Sequence, residues 1–187
     1  NHNKLEEIVI TSGYTSNEKK MTTGKINIRL MDLPQAVTVI SKEAIERQQA
    51  LHLSDVLQQV NGVYLMGNTG GFQEEIAARG FSFSSSNTFK NGVRFNNASM
   101  PEMRSIEKLE FLKGGSAILF GNVAPGGIMN IVTKKPKFEQ GGELGFRTGS
   151  FGFYKPSLDV YSGFGKKKQA AFRVNTVYEK AQSFRDF

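Results

Sequence analysis

The chain has 187 residues, 39% hydrophobic and 22% charged, the balance of a folded protein rather than a disordered one. It holds no Cys and only two His, His2 and His52, which excludes disulfides, thiolate metal sites, Cys nucleophiles and iron–sulfur clusters and leaves no multi-histidine metal centre. Its 24 Lys and Arg outnumber 17 Asp and Glu for a formal charge of +7, but the cations are dispersed, with Lys166-Lys167-Lys168 the only triple, so the charge reads as solvated turns and faces rather than a nucleic-acid footprint.

The apolar runs are only a few residues long, such as Ala117-Ile118-Leu119-Phe120, against the ~20 that a membrane-spanning helix needs. No basic and then apolar leader opens the chain, which starts at Asn1, so it reads as a mature or excised product. Residues 1–24 are polar and too poor in core side chains to offset their ordering entropy, which predicts a flexible segment. One β-prone stretch, Ile8-Val9-Ile10-Thr11, interrupts it and suits pairing with a partner's exposed strand.

Residues 25–140 read as one compact α+β unit. Pro34–Ile40 alternates and is rich in β-branched residues, which predicts a strand. Ser41 is placed to cap a short helix over Lys42–Ala50, with Ile45 and Leu51 inward, and Ser54 to cap a second over Asp55–Val60. Asn61-Gly62 supplies a left-handed stop. Strands follow at Gly62–Met66 and Glu75–Arg79, separated by a glycine-rich loop over Gly67–Phe72. Thr88–Phe95 turns at Asn91-Gly92, a favoured hairpin dipeptide. Ile106–Lys113 sets Leu109 and Phe111 against charged neighbours, Ser116–Phe120 forms one helical turn, and Gly127–Thr133 is a last apolar strand. From residue 141 the pattern becomes segments of about ten alternating residues joined by short turns: Leu144 and Phe146 against Glu143 and Arg147, Leu158 and Val160 against Asp159, Phe172 and Val174 against Arg173 and Asn175. Membrane β-barrel strands show this pattern, and so does a soluble antiparallel sheet with one wet face.

Two near-motifs for chemistry fail. Gly121–Gly126 has the glycine spacing of a phosphate loop, but Gly127 and Ile128 stand where Lys and Ser or Thr are required. Gly114–Ile118 resembles a nucleophile elbow without its final glycine and without a placed base. The pairs Glu74-Glu75 and Glu107/Glu110 read as surface acids. With no nucleophile–base or metal constellation, the chain is not expected to be an enzyme. Arg79, fixed by Ile76-Ala77-Ala78 and flanked by polar loops, either salt-bridges internally or faces an anionic ligand.

Taken together, these stretches resemble the plug of a TonB-dependent outer-membrane receptor of the ferric-siderophore type. Leu5–Thr11 resembles the energy-coupling box, Leu33–Ile40 the plug's opening strand, Ile76–Phe81 its Arg-Gly-Phe segment, and Phe89–Arg94 its hairpin. The longest match runs from Ile106 through Gly121 and on from Ala124 to Pro136. Gly115 stands where the family usually has Pro, Asn91 where it has Asp, and Phe89 and Phe120 where it has Tyr. The resemblance implies an α+β plug domain, a small mixed β-sheet with short helices, followed by antiparallel strands of an incomplete 22-stranded transmembrane β-barrel. The expected units are 1–24, a flexible segment with the box; 25–140, the plug; and 141–187, the first three strands of a longer polypeptide.

The implied function is import of an iron–siderophore complex to the periplasm by energy-coupled plug rearrangement in the outer membrane of a Gram-negative bacterium. The implied partners are a ferric siderophore, TonB and outer-membrane lipid, with no nucleic acid and no cofactor, since iron enters only as the chelate. Ile8, Val9, Ile10 and Thr11 are assigned to TonB, and Arg79, Arg94, Phe95, Asn96, Asn97, Met100 and Arg104 to the ligand, with Glu107 and Glu110 as alternative partners for Arg79 and Arg104. A haem, cobalamin or carbohydrate cargo, and a soluble basic binding module whose tail has a polar outer face, remain alternatives.

Overall fold

The computed structural model describes residues 36–69, 73–83, 86–96, 99–114, 123, 125–165 and 169–183. The Ile8–Thr11 stretch, Asn97, Leu33 to Gln35 of the opening strand, the turn at Ser116–Phe120 and the Lys166–Lys168 run lie outside them. Among the described residues no helix is long and apolar enough to cross a membrane, a statement that does not touch strands.

Three sheets form. The largest contains β1 (Ala36–Ser41), β7 (Ile106–Lys113), β8 (Gly127–Thr133), β5 (Thr88–Lys90) and β6 (Val93–Arg94), in that order. Its pairings are antiparallel except β5 with β8, which makes the sheet mixed. A second sheet joins β2 (Val63–Thr69), β3 (Gln73–Ala78) and β4 (Phe81–Ser82), so the glycine-rich stretch begins as strand, with a register shift between Leu65 and Gly67, rather than as loop. The third sheet is an antiparallel meander of β9 (Gly141–Thr148), β10 (Tyr154–Phe164) and β11 (Ala170–Val177).

One face of the large sheet presents Ile40, Leu109, Phe111, Met129 and Ile131 to a core completed by Ile45, Leu53, Val56, Val60 and Phe83. Each such apolar side chain contributes about 1.5–3 kcal/mol on burial. The other face is also covered: Leu112, Ile128 and Phe89 are buried there with Val37 and Val123 packed against them. Glu110 points to this second face and is fully buried rather than a surface acid. Its carboxylate meets Lys108 Nζ at 2.6 Å and accepts from Asn130 Nδ2 at 3.0 Å. Asn130 Oδ1 in turn accepts the Gly92 N–H.

Among the described residues there are two short α-helices, α1 (Lys42–Arg47) and α2 (Leu53–Leu57). The first stops earlier than its sequence suggests, because Gln49 turns left-handed at φ 53°. The second begins earlier: His52, not Ser54, stands at the N-cap, and Asp55 Oδ2 accepts from the Leu51 and His52 N–H groups. Glu74 on β3 then accepts from Leu53 and Ser54 at 3.0 and 3.1 Å, so it is a buried cap, not half of a surface pair. Two carboxylates thus satisfy three N–H groups that the start of the helix leaves without partners, and that of Leu51 just before it. Both two-residue hairpins have positive φ at each central position: Arg79 and Gly80 between β3 and β4, Asn91 and Gly92 between β5 and β6. Asn91 also donates from Nδ2 to Thr133 Oγ1 at 2.8 Å and accepts the Thr133 N–H, a reciprocal pair that ties this hairpin to the end of β8.

Replacing Glu74 with Ala leaves two buried N–H groups unanswered and is expected to destabilise the α2 turn by about 1–3 kcal/mol. Hydrogen exchange at Leu53–Leu57 should accelerate at least several-fold, with Glu74→Gln milder because it keeps an acceptor; unchanged protection in Glu74→Ala would remove the capping role.

Candidate functional site: the plug–strand seam

Alternation along β9–β11 sorts side chains to opposite faces. Leu144, Phe146, Leu158, Phe172 and Val174 point away from the rest of the chain, with Leu144 82% and Phe146 67% exposed. Glu143, Arg147, Lys155, Asp159, Arg173 and Asn175 point toward it, and among the described residues three ionic groups join the sheet to the plug. In the first, Glu143 on β9 meets Arg104 Nη1 at 2.9 Å and Lys42 Nζ at 3.2 Å, and Lys42 also holds Glu46 at 3.2 Å. In the second, Asp159 on β10 pairs with Arg173 at 2.6 Å and with Lys134 at 3.0 Å. In the third, Lys155 bridges Glu102 and Glu179 at 2.9 and 2.8 Å.

Main-chain atoms join the same seam. Arg147 Nη1 donates to the Gln49 and Ala50 carbonyls just past α1, where a cation meets the negative end of the helix. Asn175 Nδ2 donates to the Arg104 carbonyl. Gly145 is required by this arrangement, because a Cβ there would overlap the Arg104 guanidinium. Partial burial disfavours the Lys42 ammonium, but hydrogen bonds and charge from Glu46 and Glu143 outweigh it, so its pKa is raised above 10.5.

The residues assigned to ligand from sequence do not gather in one place. Arg79 lies in its hairpin turn with Nη1 3.2 Å from where a Gly114 Cβ would be, at the Lys113 end of β7. Among the described residues it has no carboxylate partner, neither Glu107 nor Glu110. Burial and the Arg79 charge together lower the pKa of neighbouring Lys113. Arg104 precedes β7 and sits at its other end; eight strand residues separate the two places by roughly 25 Å. Arg104 does pair with an acid, but with Glu143 instead of Glu107 or Glu110. Arg94 and Asn96 are exposed, whereas Phe95 packs half-buried on the core with Lys90 Nζ 5.1 Å from its ring centroid. Met100 lines a small interior cavity with Phe95, Leu53 and Glu74, and neighbouring Met103 is buried. Among the described residues no group of His, Asp and Glu is arranged to hold a metal ion.

The seam residues Lys42, Glu46, Glu102, Lys134, Glu143, Lys155 and Asp159 carried no assignment from sequence. Alternation signals that one face of β9–β11 is charged, but the plug partners of Glu143 and Asp159 lie 25 to 101 residues away.

A small, separately cored mixed sheet seated on the charged face of antiparallel strands, whose other face is apolar, defines a plug-and-wall module. Residues 29–128 match the family model described as TonB-dependent Receptor Plug Domain, and the chain belongs to that family. Over 94% of its length it is 31% identical to the metal-pseudopaline receptor CntO of Pseudomonas aeruginosa. The ferric-catecholate import receptor Fiu of Escherichia coli K12, in its open form, superposes with a TM-score of 0.71 at 30% identity over 82% of this chain. BauA, the ferric preacinetobactin receptor of Acinetobacter baumannii, gives 0.78 at 25% identity over 90%. The chain spans about a quarter of each: 25% of CntO, 22% of Fiu and 26% of BauA. These relatives are receptors, two of them for ferric ligands.

Two outcomes test the seam. A double-mutant cycle on Arg104→Ala and Glu143→Gln should give a coupling of about 0.5–1.5 kcal/mol, since both side chains keep some contact with solvent; zero coupling would make the pair incidental. The Lys42 tie, with its pKa raised on folding, is at full strength below the unfolded value of 10.5 and is lost as pH rises through the higher folded value. Alkaline titration should therefore loosen α1 from β9 only above about pH 10.5, and Lys42→Met should remove that step.

Proposed function

We propose that the chain is the plug and opening wall of an outer-membrane receptor that binds an iron–siderophore complex and releases it to the periplasm when TonB acts on the plug. The observation that carries this reading is the seam. The plug closes its own hydrophobic core and is attached to β9–β11 through ion pairs and hydrogen bonds, which water can replace, so it can move without opening that core. The apolar outer face of β9–β11 suits lipid and disfavours a soluble module with a polar outer face. In this reading residues 1–24 carry the coupling segment, with Ile8, Val9, Ile10 and Thr11 pairing to TonB, 25–140 form the plug, and 141–187 begin a 22-stranded barrel in the outer membrane of a Gram-negative cell. The iron chelate is cargo, and the protein needs no cofactor of its own.

Arg79 is the leading ligand contact, because a guanidinium with no carboxylate partner among the described residues suits an anionic chelate. Arg94, Asn96 and Asn97 are further candidates at the hairpin. Phe95 and Met100 support that region from the core side, and Arg104 holds the plug to the wall. The kinship to a metal-pseudopaline receptor favours one alternative cargo, a metal chelate other than a ferric siderophore.

Deleting Leu5–Thr11 from the full receptor should abolish energised uptake and spare ligand binding; loss of binding would make the segment structural. Arg79→Gln should weaken ferric-chelate binding by about 10-fold, the scale of one charge-assisted hydrogen bond, with the seam intact. Unchanged affinity would return Arg79 to a structural role.

A further inference from the structure

The sequence holds two Asn-Gly pairs, Asn61-Gly62 and Asn91-Gly92. Asparagine is a thermally labile residue, and a following glycine is the setting in which its carboxamide is lost most readily. Glycine has no Cβ to keep its nitrogen away from the preceding side chain, and its backbone reaches conformations closed to other residues. Both pairs lie in tight turns with all four residues exposed, and the two glycines have similar positive φ, 76° and 82°. A Cβ built on either glycine meets no atom within 4 Å. Access to water and local crowding therefore do not distinguish the pairs.

Hydrogen bonding does. At the β5–β6 hairpin the Asn91 N–H donates to the Ile131 carbonyl at 2.9 Å. Asn91 Nδ2 donates to Thr133 Oγ1 at 2.8 Å, and its Oδ1 accepts the Thr133 N–H at 3.0 Å. The Gly92 N–H donates to Asn130 Oδ1 at 3.0 Å, and Asn130 is itself fixed by buried Glu110. The nitrogen that would attack and the carboxamide that would be attacked are both held. At the turn between α2 and β2 the Val63 N–H closes the loop onto the Val60 carbonyl at 3.1 Å. Among the described residues neither the Asn61 carboxamide nor the Gly62 N–H has a hydrogen-bond partner.

We propose that Asn61 is a site of spontaneous deamidation in the folded protein, and that the network to β8 guards the chemically identical Asn91. The Gly62 nitrogen gives up its proton and attacks Cγ of Asn61. A C–N bond forms, ammonia leaves with the carboxamide nitrogen, and a five-membered succinimide results. Water then adds to one of its two carbonyls and breaks that C–N bond, leaving aspartate or isoaspartate at position 61. The chain takes up one water and releases one ammonia, with no oxidant, reductant or enzyme. Either product adds a negative charge. Isoaspartate also inserts a methylene into the main chain between Val60 and Val63, both buried, and so lengthens the turn that joins α2 to β2. Reaction at Asn91 requires the hairpin to part from β8 first, so its rate is scaled down by the population of the open form. The chemistry needs this chain and water alone, whatever the cargo.

The test incubates the full receptor, folded in detergent micelles, at mildly alkaline pH in heavy-oxygen water. Samples taken at intervals are returned to ordinary water and digested at acidic pH, where succinimide formation is slow. Mass spectrometry of the peptides reads heavy-oxygen uptake at each Asn-Gly pair, and electron-transfer fragmentation separates aspartate from isoaspartate. Position 61 should convert at least tenfold faster than position 91, with isoaspartate among its products. Synthetic peptides spanning each pair should react within about threefold of one another, because the difference belongs to the fold. Equal rates in the folded receptor, faster conversion at Asn91, or no conversion at Asn61 overturns the proposal. A tenfold gap that persists in the peptides also overturns it, by placing the cause in the neighbouring sequence. Asn61→Gln should abolish uptake at that turn and leave the rate at Asn91 unchanged; uptake that persists there belongs to another residue and overturns the assignment.

Discussion

Glu143 accepts from Arg104 and Lys42, and those two cations come from distant parts of the plug sequence. This carboxylate on β9, with Asp159 on β10, fixes where the plug sits on the wall. The constraint behind it is period two: a strand that turns Leu144 outward must turn Glu143 and Gly145 inward. Once that face is charged and enclosed, every group on it needs a partner, and the plug supplies Lys42, Arg104 and Lys134 together with carbonyls just past α1. Gly145 completes the fit by omission, since any side chain there would displace Arg104.

The plug shows a second form of the same constraint. Its large sheet is covered on both faces, so alternation along β7 cannot place Glu110 in water. Lys108 and Asn130 answer it, and Asn130 in turn ties the hairpin at Gly92. A buried network of this kind is costly when broken and specifies one register when complete. Glu74 plays a comparable part between layers, joining β3 to the start of α2.

The geometry also separates tasks that adjacency in sequence merges. Arg104 is locked into the seam, and Arg79 lies at the far end of β7 beside a second cation whose charge it disfavours. An arginine paired with acid holds position, whereas one beside a lysine adds to the local positive potential. Seating on the wall and the positive potential at the opposite end of β7 are thus carried by different guanidinium groups.

What the sequence by itself determined is local and periodic. Ile106–Lys113 and Gly127–Thr133 were legible as strands from β-branched and apolar content, Asn91-Gly92 as a hairpin from its backbone preferences, and residues 141–177 as strands with one apolar face. Those signals need only neighbouring residues, and so did the long motif from Ile106 to Pro136 that pointed to the family. The tertiary structure alone decided which charges meet. Glu74 and Glu110 look like surface acids in sequence because their burial depends on elements arriving from elsewhere. His52 stands at the cap expected of Ser54, with Glu74 reaching Leu53 and Ser54 from β3, and Arg104 meets Glu143 rather than a near neighbour in sequence. Electrostatic partners act through space, and the alternation that announces a charged face carries no information about what will face it.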